Sequence, residues 1–422
     1  MKRLVALLFI VTAALAAFAE TSASSEVKPS PAERTVTQAQ RLIEKNPKDF
    51  EAYNSLALAL SRRARETSDI NYYAQAEEAL QKSFAISPDN FDGARTHVWL
   101  LLGKHEFAAA LEEAKKLNKR MPDDVMTYAF LTDANVELGN YSDAENSAQM
   151  MLDLRPGNLP ALTRAAYLRE LFGDIDGAMD LMNMALQSTA PSEVEDGAWI
   201  LSQMAHLELA LSKTAEAERY LQQALTLFPG YHYALGNLAK VRIHQKRYEE
   251  AVQLLQQRYG AAAHAENLFD LAEAVQLAGR NEDAKKAFAE FEQKSLLETN
   301  RRDNSNRELI FYYADYAHEP LKALEVARRE FARRHDVYTL DSYAWALHAN
   351  GQEQEARKQI EAALAVGIRD AKLIGHAGKI ALAAGDHAAA KHYLQQSADL
   401  NTAEWEKARP ILTDVSSASS QQ

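Results

Sequence analysis

Between residues 125 and 158 the chain places Tyr128, Leu131 and Val136 on one helical stripe and then breaks at Leu138-Gly139-Asn140-Tyr141. A second stripe follows, Ala144, Ala148, Met151 and Leu154, and it stops before Arg155-Pro156. Apolar positions three, four and seven residues apart predict two amphipathic helices joined by a tight turn. Neither helix is apolar all round, so the pair must bury its stripes against neighbours of the same kind.

Those neighbours are legible as a repeating alanine. Ala76, Ala110, Ala144, Ala178, Ala217, Ala251, Ala284, Ala323, Ala356 and Ala390 recur at steps of 33, 34 or 39 residues, a period that means stacked units. Proline follows four of them twelve residues on (Pro88, Pro122, Pro156, Pro229), where it stops the second helix. Glycine precedes five of them by five residues (Gly139, Gly173, Gly279, Gly351, Gly385), where the turn needs a positive φ. The small alanine marks the closest approach of two helices.

The expected organisation is one all-α solenoid over residues 34–401. It starts with a half-repeat (Val36, Ala39, Leu42, Ile43, ended by Asn46-Pro47), and about ten hairpins follow. Asn401 and Glu404 resemble a capping box that opens a C-terminal capping helix over 402–412 through Trp405, and 413–422 reads as a disordered tail. Three irregularities stand out: an insertion around Arg65–Asn71, two extra residues between Gly103 and Ala110, and two 39-residue steps. The long steps predict hinges near 189–197 and 297–306.

The order of residue types resembles the tetratricopeptide repeat family. Tyr128, Leu131-Thr132, Gly139, Tyr141, Ala144, Ala148, Met151 and Pro156 follow its pattern, as do Leu235, Leu238-Ala239, Tyr248, Ala251 and Leu255. A third unit supplies Leu268, Leu271-Ala272, Gly279, Ala284 and Phe288. The resemblance implies a right-handed superhelix of antiparallel helix pairs, with first helices lining a concave groove that binds other proteins. It also implies a scaffold, since catalysis in such proteins comes from an attached domain.

The first nineteen residues change the picture of where this happens. Met1-Lys2-Arg3, an apolar run from Leu4 to Phe18 and the Ala17-Phe18-Ala19 site describe a cleaved secretory signal peptide. The run is shorter than the roughly 20 residues of a spanning helix, so no stable membrane anchor is expected after cleavage. Residues 20–33 read as a polar linker. Loss of Lys2 and Arg3 moves the net charge from −12 to −14, which disfavours nucleic acid as a partner. The basic stretch Arg328, Arg329, Arg333 and Arg334 is interrupted by Glu325 and Glu330 and reads as a solvated face. With no cysteine there is no disulfide and no thiol chemistry. A periplasmic or secreted protein held together by packing is expected.

Motifs for chemistry are incomplete. His105-Glu106 lacks the second histidine of H-E-x-x-H, Gly375 to Ile380 lacks the glycine and hydroxyl residue of a phosphate loop, and no G-x-S-x-G occurs. The reading assigns no catalytic residue, no cofactor and no metal. The methionines between Met121 and Met204 read as core filling, with Met151 and Met182 at core positions. Counting back from each repeat alanine to the groove positions collects large rings: Trp99, Tyr167, Trp199, Tyr233, Phe269, Tyr312, Tyr316, Tyr338 and Trp345. The extra residues after Gly103 put Trp99 at the margin of this set. Asp133, Lys240, Glu273, Asp341 and His348 accompany them. Rings so placed suit an interface centre, or they pack between adjacent units. Tyr312, Tyr338 and Trp345 are expected to form one continuous, partly exposed patch. The functional expectation is a non-enzymatic scaffold of the bacterial envelope or a secretion complex that binds a protein partner. The alternative is a module that stacks a cell-wall glycan on the rings.

Overall fold

The computed structural model describes residues 29–400 except 68, 302, 303 and 305. The expected signal peptide, the capping helix 402–412 and the tail lie outside the described residues. Among those described, every regular element is helical: a single helix α1 (Pro31–Lys45), followed by helices that come in pairs. The pairs are α2 (Phe50–Thr67) with α3 (Asn71–Ile86), α4 (Phe91–Gly103) with α5 (Phe107–Arg120), and α6 (Val125–Glu137) with α7 (Tyr141–Leu154). Next come α8 (Leu159–Leu171) with α9 (Ile175–Ser188), α10 (Val194–Ala210) with α11 (Thr214–Leu227), and α12 (His232–His244) with α13 (Tyr248–Ala261). The array ends with α14 (Ala265–Leu277) and α15 (Asn281–Glu298), α16 (Asn306–Phe311) and α17 (Pro320–Phe331), α18 (Val337–Ala349) and α19 (Glu353–Leu364), and α20 (Ala371–Ala383) and α21 (His387–Leu400). The protein is an α-solenoid. Helix α1 begins three residues inside the segment read as linker, because Ser30 and Glu33 form a capping box there.

Nine of the ten repeat alanines are fully buried and Ala284 nearly so. Asn and Asp recur twenty residues before several of them and cap the first helices: Asn90 accepts from the Gly93 N–H at 2.6 Å, Asp124 from Thr127 at 2.8 Å and Asn158 from Ala161 at 3.0 Å. Pro88, Pro122, Pro156 and Pro229 each stand two residues beyond the last residue of a second helix. Five residues before each alanine from Ala110 onward, the backbone has a positive φ, but glycine fills only five of those nine turns. His105, Ser212, Lys246 and His318 fill the others. This corrects the reading of two extra residues after Gly103: His105 takes the turn position, Gly103 is the last residue of α4, and Trp99 is in full register.

The other irregularities are absorbed in part as helix, and residues 302, 303 and 305 of the second expected hinge lie outside the described residues. Helix α2 has 18 residues and α10 has 17, against 13 for most first helices, and α15 has 18 against 14 for most second helices. Two of these extra turns meet. Arg65, on the last turn of α2, forms an ion pair with Glu195 and a hydrogen bond of 3.1 Å to Asp196, both on the first turn of α10. The Tyr231 hydroxyl donates to Glu195 at 2.7 Å, and His232 Nε2 donates to the Arg65 carbonyl at 3.0 Å. The place where a hinge was expected, 189–197, is therefore where the first pair is fastened.

The same closure recurs further along. His335 N–H donates to the Glu137 carbonyl at 3.0 Å, Val337 N–H to the Tyr141 hydroxyl at 3.0 Å, and Ser212 Oγ to the Leu400 carbonyl at 2.8 Å. At Gly139 and Gly173 the positive φ coincides with a close approach: an added Cβ would lie 2.8 Å from the His335 oxygen and 2.5 Å from the Gly367 oxygen. The turns of pairs three, four and five thus rest on loops some five pairs later. The solenoid closes on itself edge to edge around an interior lumen.

Two outcomes follow from this packing. Ala251→Leu forces methylenes into the closest helix contact and is expected to cost about 1–3 kcal/mol. Hydrogen exchange should show the lost protection centred on α12–α15, with α2–α5 unaffected. The second concerns pH. Burial, reinforced by Asp336 and Asp133 and opposed by Arg334, pushes Glu137 from 4.5 up to about 7. Its contribution to stability is present below about 4.5 and lost as pH rises through about 7. Burial pushes His232 from 6.5 down to about 4, so its contribution is present above 6.5 and lost as pH falls through about 4. The two slopes oppose each other in the parent chain. Glu137→Gln removes one, and denaturation midpoints should then fall more steeply on acidification below 6.5 than in the parent. Identical slopes would contradict the assignment.

Candidate functional site in the lumen

First helices face inward. A cavity of about 430 Å³ is walled by α2, α4, α6, α8 and α10, the first helices of five successive pairs. A second, of about 610 Å³, is walled by α12, α14, the residues after α16, α18 and α20. A third, of about 350 Å³, lies between the two sets and shares Lys240, Ile243 and Lys372 with the second.

The first cavity brings together three of the expected rings, Trp99, Tyr167 and Trp199, all half-buried, over Met126, Leu159 and Pro160. Trp99 is braced edge-on by Phe130, with ring centroids 6.4 Å apart. Arg164 donates to Asp133 at 2.5 Å, and Arg62, Arg65 and Asp196 complete the rim. Desolvation raises the pKa of Tyr167, as it does for Tyr233 and Tyr338. Rigid aromatic surface thus lies beside guanidinium–carboxylate pairs.

The rest of the ring set divides. Tyr316 and Trp345 line the second cavity and Tyr338 the third. Tyr233 stacks beside His232 at 4.1 Å. Phe269 is buried between α14 and α15 against Phe288 and Phe291, so it is a core residue and not part of the groove. The continuous patch of Tyr312, Tyr338 and Trp345 is also corrected. After α16 the chain makes a π-turn over Tyr312–Tyr316, with Ala317 N–H donating to the Tyr312 carbonyl at 2.9 Å. That wider turn sends Tyr312 onto Phe288 and Phe291 and its hydroxyl toward Glu292. Trp345 is buried, at 8% exposure. Its indole N–H donates to Asp315 at 2.8 Å, one face stacks on His376 at 4.1 Å, and the Lys379 ammonium lies 5.2 Å from its ring centroid.

The polar companions divide in the same way. Asp341 is buried and bonded to His376 Nδ1 at 2.8 Å, and His348 is bonded to Glu353 at 2.8 Å. Glu273 accepts from the Tyr316 hydroxyl at 2.7 Å. Lys240 reaches lumenal solvent, yet the surrounding walls desolvate its ammonium and lower its pKa, against the pull of Asp270. Arg65, Lys372 and Lys379 were missed. They stand at the same offsets from Ala76 and Ala390, eleven or eighteen residues back, that identified the rings, so counting cations at those offsets finds them.

Residues 208–258 match the Tetratricopeptide repeat family. A TPR repeat-containing protein of Methanocaldococcus jannaschii is 30% identical over 124 residues, 29% of this chain and 21% of that protein. The match therefore spans about a fifth of that relative's length. Among solved structures, the human IFIT1 dimer with PPP-AAAA superposes with a TM-score of 0.51 at 13% identity, covering 86% of this chain and 85% of that one. The APC/C hetero-tetramer Cut9–Hcn1 gives 0.47 at 15% identity, covering 90% of this chain and 58% of that one. The protein has a helical-repeat scaffold of the tetratricopeptide type.

Because Trp345 fills a buried space, Trp345→Ala is expected to cost about 3–5 kcal/mol of stability. Denaturant titration checks this, and a loss within a few tenths of a kcal/mol would return Trp345 to the exposed set.

Proposed function

We propose that this chain is an exported, non-enzymatic scaffold of the bacterial envelope, a half-repeat and ten repeats that hold a protein partner on the first-helix face. The observation that carries the reading is the first cavity: three half-buried rings from α4, α8 and α10 converge there with arginine–carboxylate pairs. Interface centres of high energy have that composition, since Trp and Tyr cover much area with few rotatable bonds. Export rests on the sequence of residues 1–19. No helix among the described residues is long and apolar enough to cross a membrane.

The test is a photo-crosslinking residue placed at Trp199, with Met184, exposed on α9, as the outward control. In cells, Trp199 should crosslink to a defined protein and Met184 should not, and this protein in the crosslinked complex should begin at Glu20. Trp99→Ala should weaken that complex by roughly 2 kcal/mol. A crosslink to glycan alone would favour the cell-wall reading, and equal crosslinking at both positions would remove the lumen from the proposal.

A further inference from the structure

We infer that the C-terminal half of the lumen is a separate site for a small anionic molecule, one with a carboxylate or phosphate head on an apolar body. It is distinct from the aromatic cavity assigned to the protein partner and does not depend on that assignment.

The carboxylates in this half already have hydrogen-bond donors. Asp270 is ion-paired with Arg258, which lies behind it between α13 and α14. Glu273 accepts from Tyr316, and Asp315 accepts from the Trp345 indole, with the Lys379 ammonium over the same ring. Across the shared wall, Glu170 is bonded to His206 at 2.8 Å and Asp370 caps α20 through the Leu373 N–H at 2.9 Å. Each carboxylate facing this space therefore has a donor built into the fold.

Two ammonium groups do not have the corresponding acceptor. Lys240 from α12 and Lys372 from the start of α20 line both adjoining cavities, so they stand at the junction of the two. Among the described residues, neither forms an ion pair with a carboxylate; Lys372 rests over the Phe311 ring at 4.0 Å. They come from pairs far apart in sequence, and closure of the solenoid puts them in one enclosed space. An anion that enters this junction would meet two ammonium donors beside an apolar wall.

Beside them the wall is apolar and cut back. Ala239, Ile243, Leu255 and Leu277 line the second cavity, and Leu277 is left 49% exposed there. At Gly236 an added Cβ would approach Arg258 Nε to 3.0 Å, so the small residue leaves room both for that arginine and for the cavity. A volume of about 610 Å³ falls within the range of small-molecule sites, roughly 300–1,000 Å³. The edge contacts of the solenoid enclose it, which favours a compact molecule over a threaded polymer.

Isothermal titration calorimetry on the purified chain tests this with phenyl phosphate and phenylacetate, which share a ring and differ in the anionic head. At least one should bind at a single site, and the stronger of the two tells phosphate from carboxylate as the natural head. Lys240→Met with Lys372→Met keeps the aliphatic stems and should weaken that binding about ten- to hundredfold, the loss expected for charge-assisted hydrogen bonds. The double variant should remain folded by circular dichroism, since it removes unmatched charge. Trp99→Ala should leave probe binding unchanged while weakening the protein partner, so the two sites fail separately. Binding of neither probe, undiminished binding by the folded double variant, or binding of an oligoglutamate peptide in place of both probes would overturn the inference.

Discussion

Everything in this molecule depends on how closely the two helices of a pair approach at one alanine. Ala76, Ala110, Ala144, Ala178, Ala217, Ala251, Ala323, Ala356 and Ala390 have no exposed surface, so a larger side chain at any of them must displace packed neighbours. Close packing at that point fixes the angle of the pair, and because the interior is close-packed the angle is not adjustable. Repeated along the chain, the same angle becomes a curvature. The curvature returns the solenoid to itself, so that the Tyr141 hydroxyl meets the Val337 amide 196 residues on. The lumen and its cavities are consequences of that return.

Two kinds of contact hold the result together. Within and between neighbouring pairs the contacts are mostly apolar, and burial at about 25 cal/mol per Å² makes them the main source of stability. Between successive turns of the solenoid hydrogen bonds and ion pairs are added, Arg65 with Glu195 and Asp196, Glu137 with His335 and Arg334, Ser212 with Leu400, beside one buried apolar cluster that holds Val136, Leu168 and Leu171 together with Val337 and Ile368. Each such bond is worth only about 1 kcal/mol net. The closure lies next to the lumen that a ligand must enter.

Much of this was legible in the sequence, and the reason is periodicity. Helix pairs, turn positions and proline stops repeat, so an error in one unit is corrected by the others. What does not repeat was harder to read. The segment near Arg65 read only as an insertion and the long step before Gly197 as a hinge, yet both carry extra helical turns that find each other across the solenoid. No local pattern announces a contact between residues 65 and 195. The ring set suffered from the same limit: an offset from the repeat alanine identifies the inward face, but not how deep a ring sinks. Trp345 sinks because Asp315 and His376 receive it, and Tyr312 leaves the face because a π-turn rotates it. Counting rings without cations at the same offsets also hid Lys372 and Arg65.

The central claim is that the solenoid closes edge to edge. Because the chain has no cysteine, spin labels can be placed at Asn140→Cys and Ala332→Cys, exposed positions on either side of the contact between Glu137 and His335. Double electron–electron resonance should then give one narrow, short-distance population in solution, and Arg65→Ala, which releases only the first pair, should leave it in place. A broad or long-distance distribution in the unmodified background would mean an open solenoid, and the enclosed lumen would go with it.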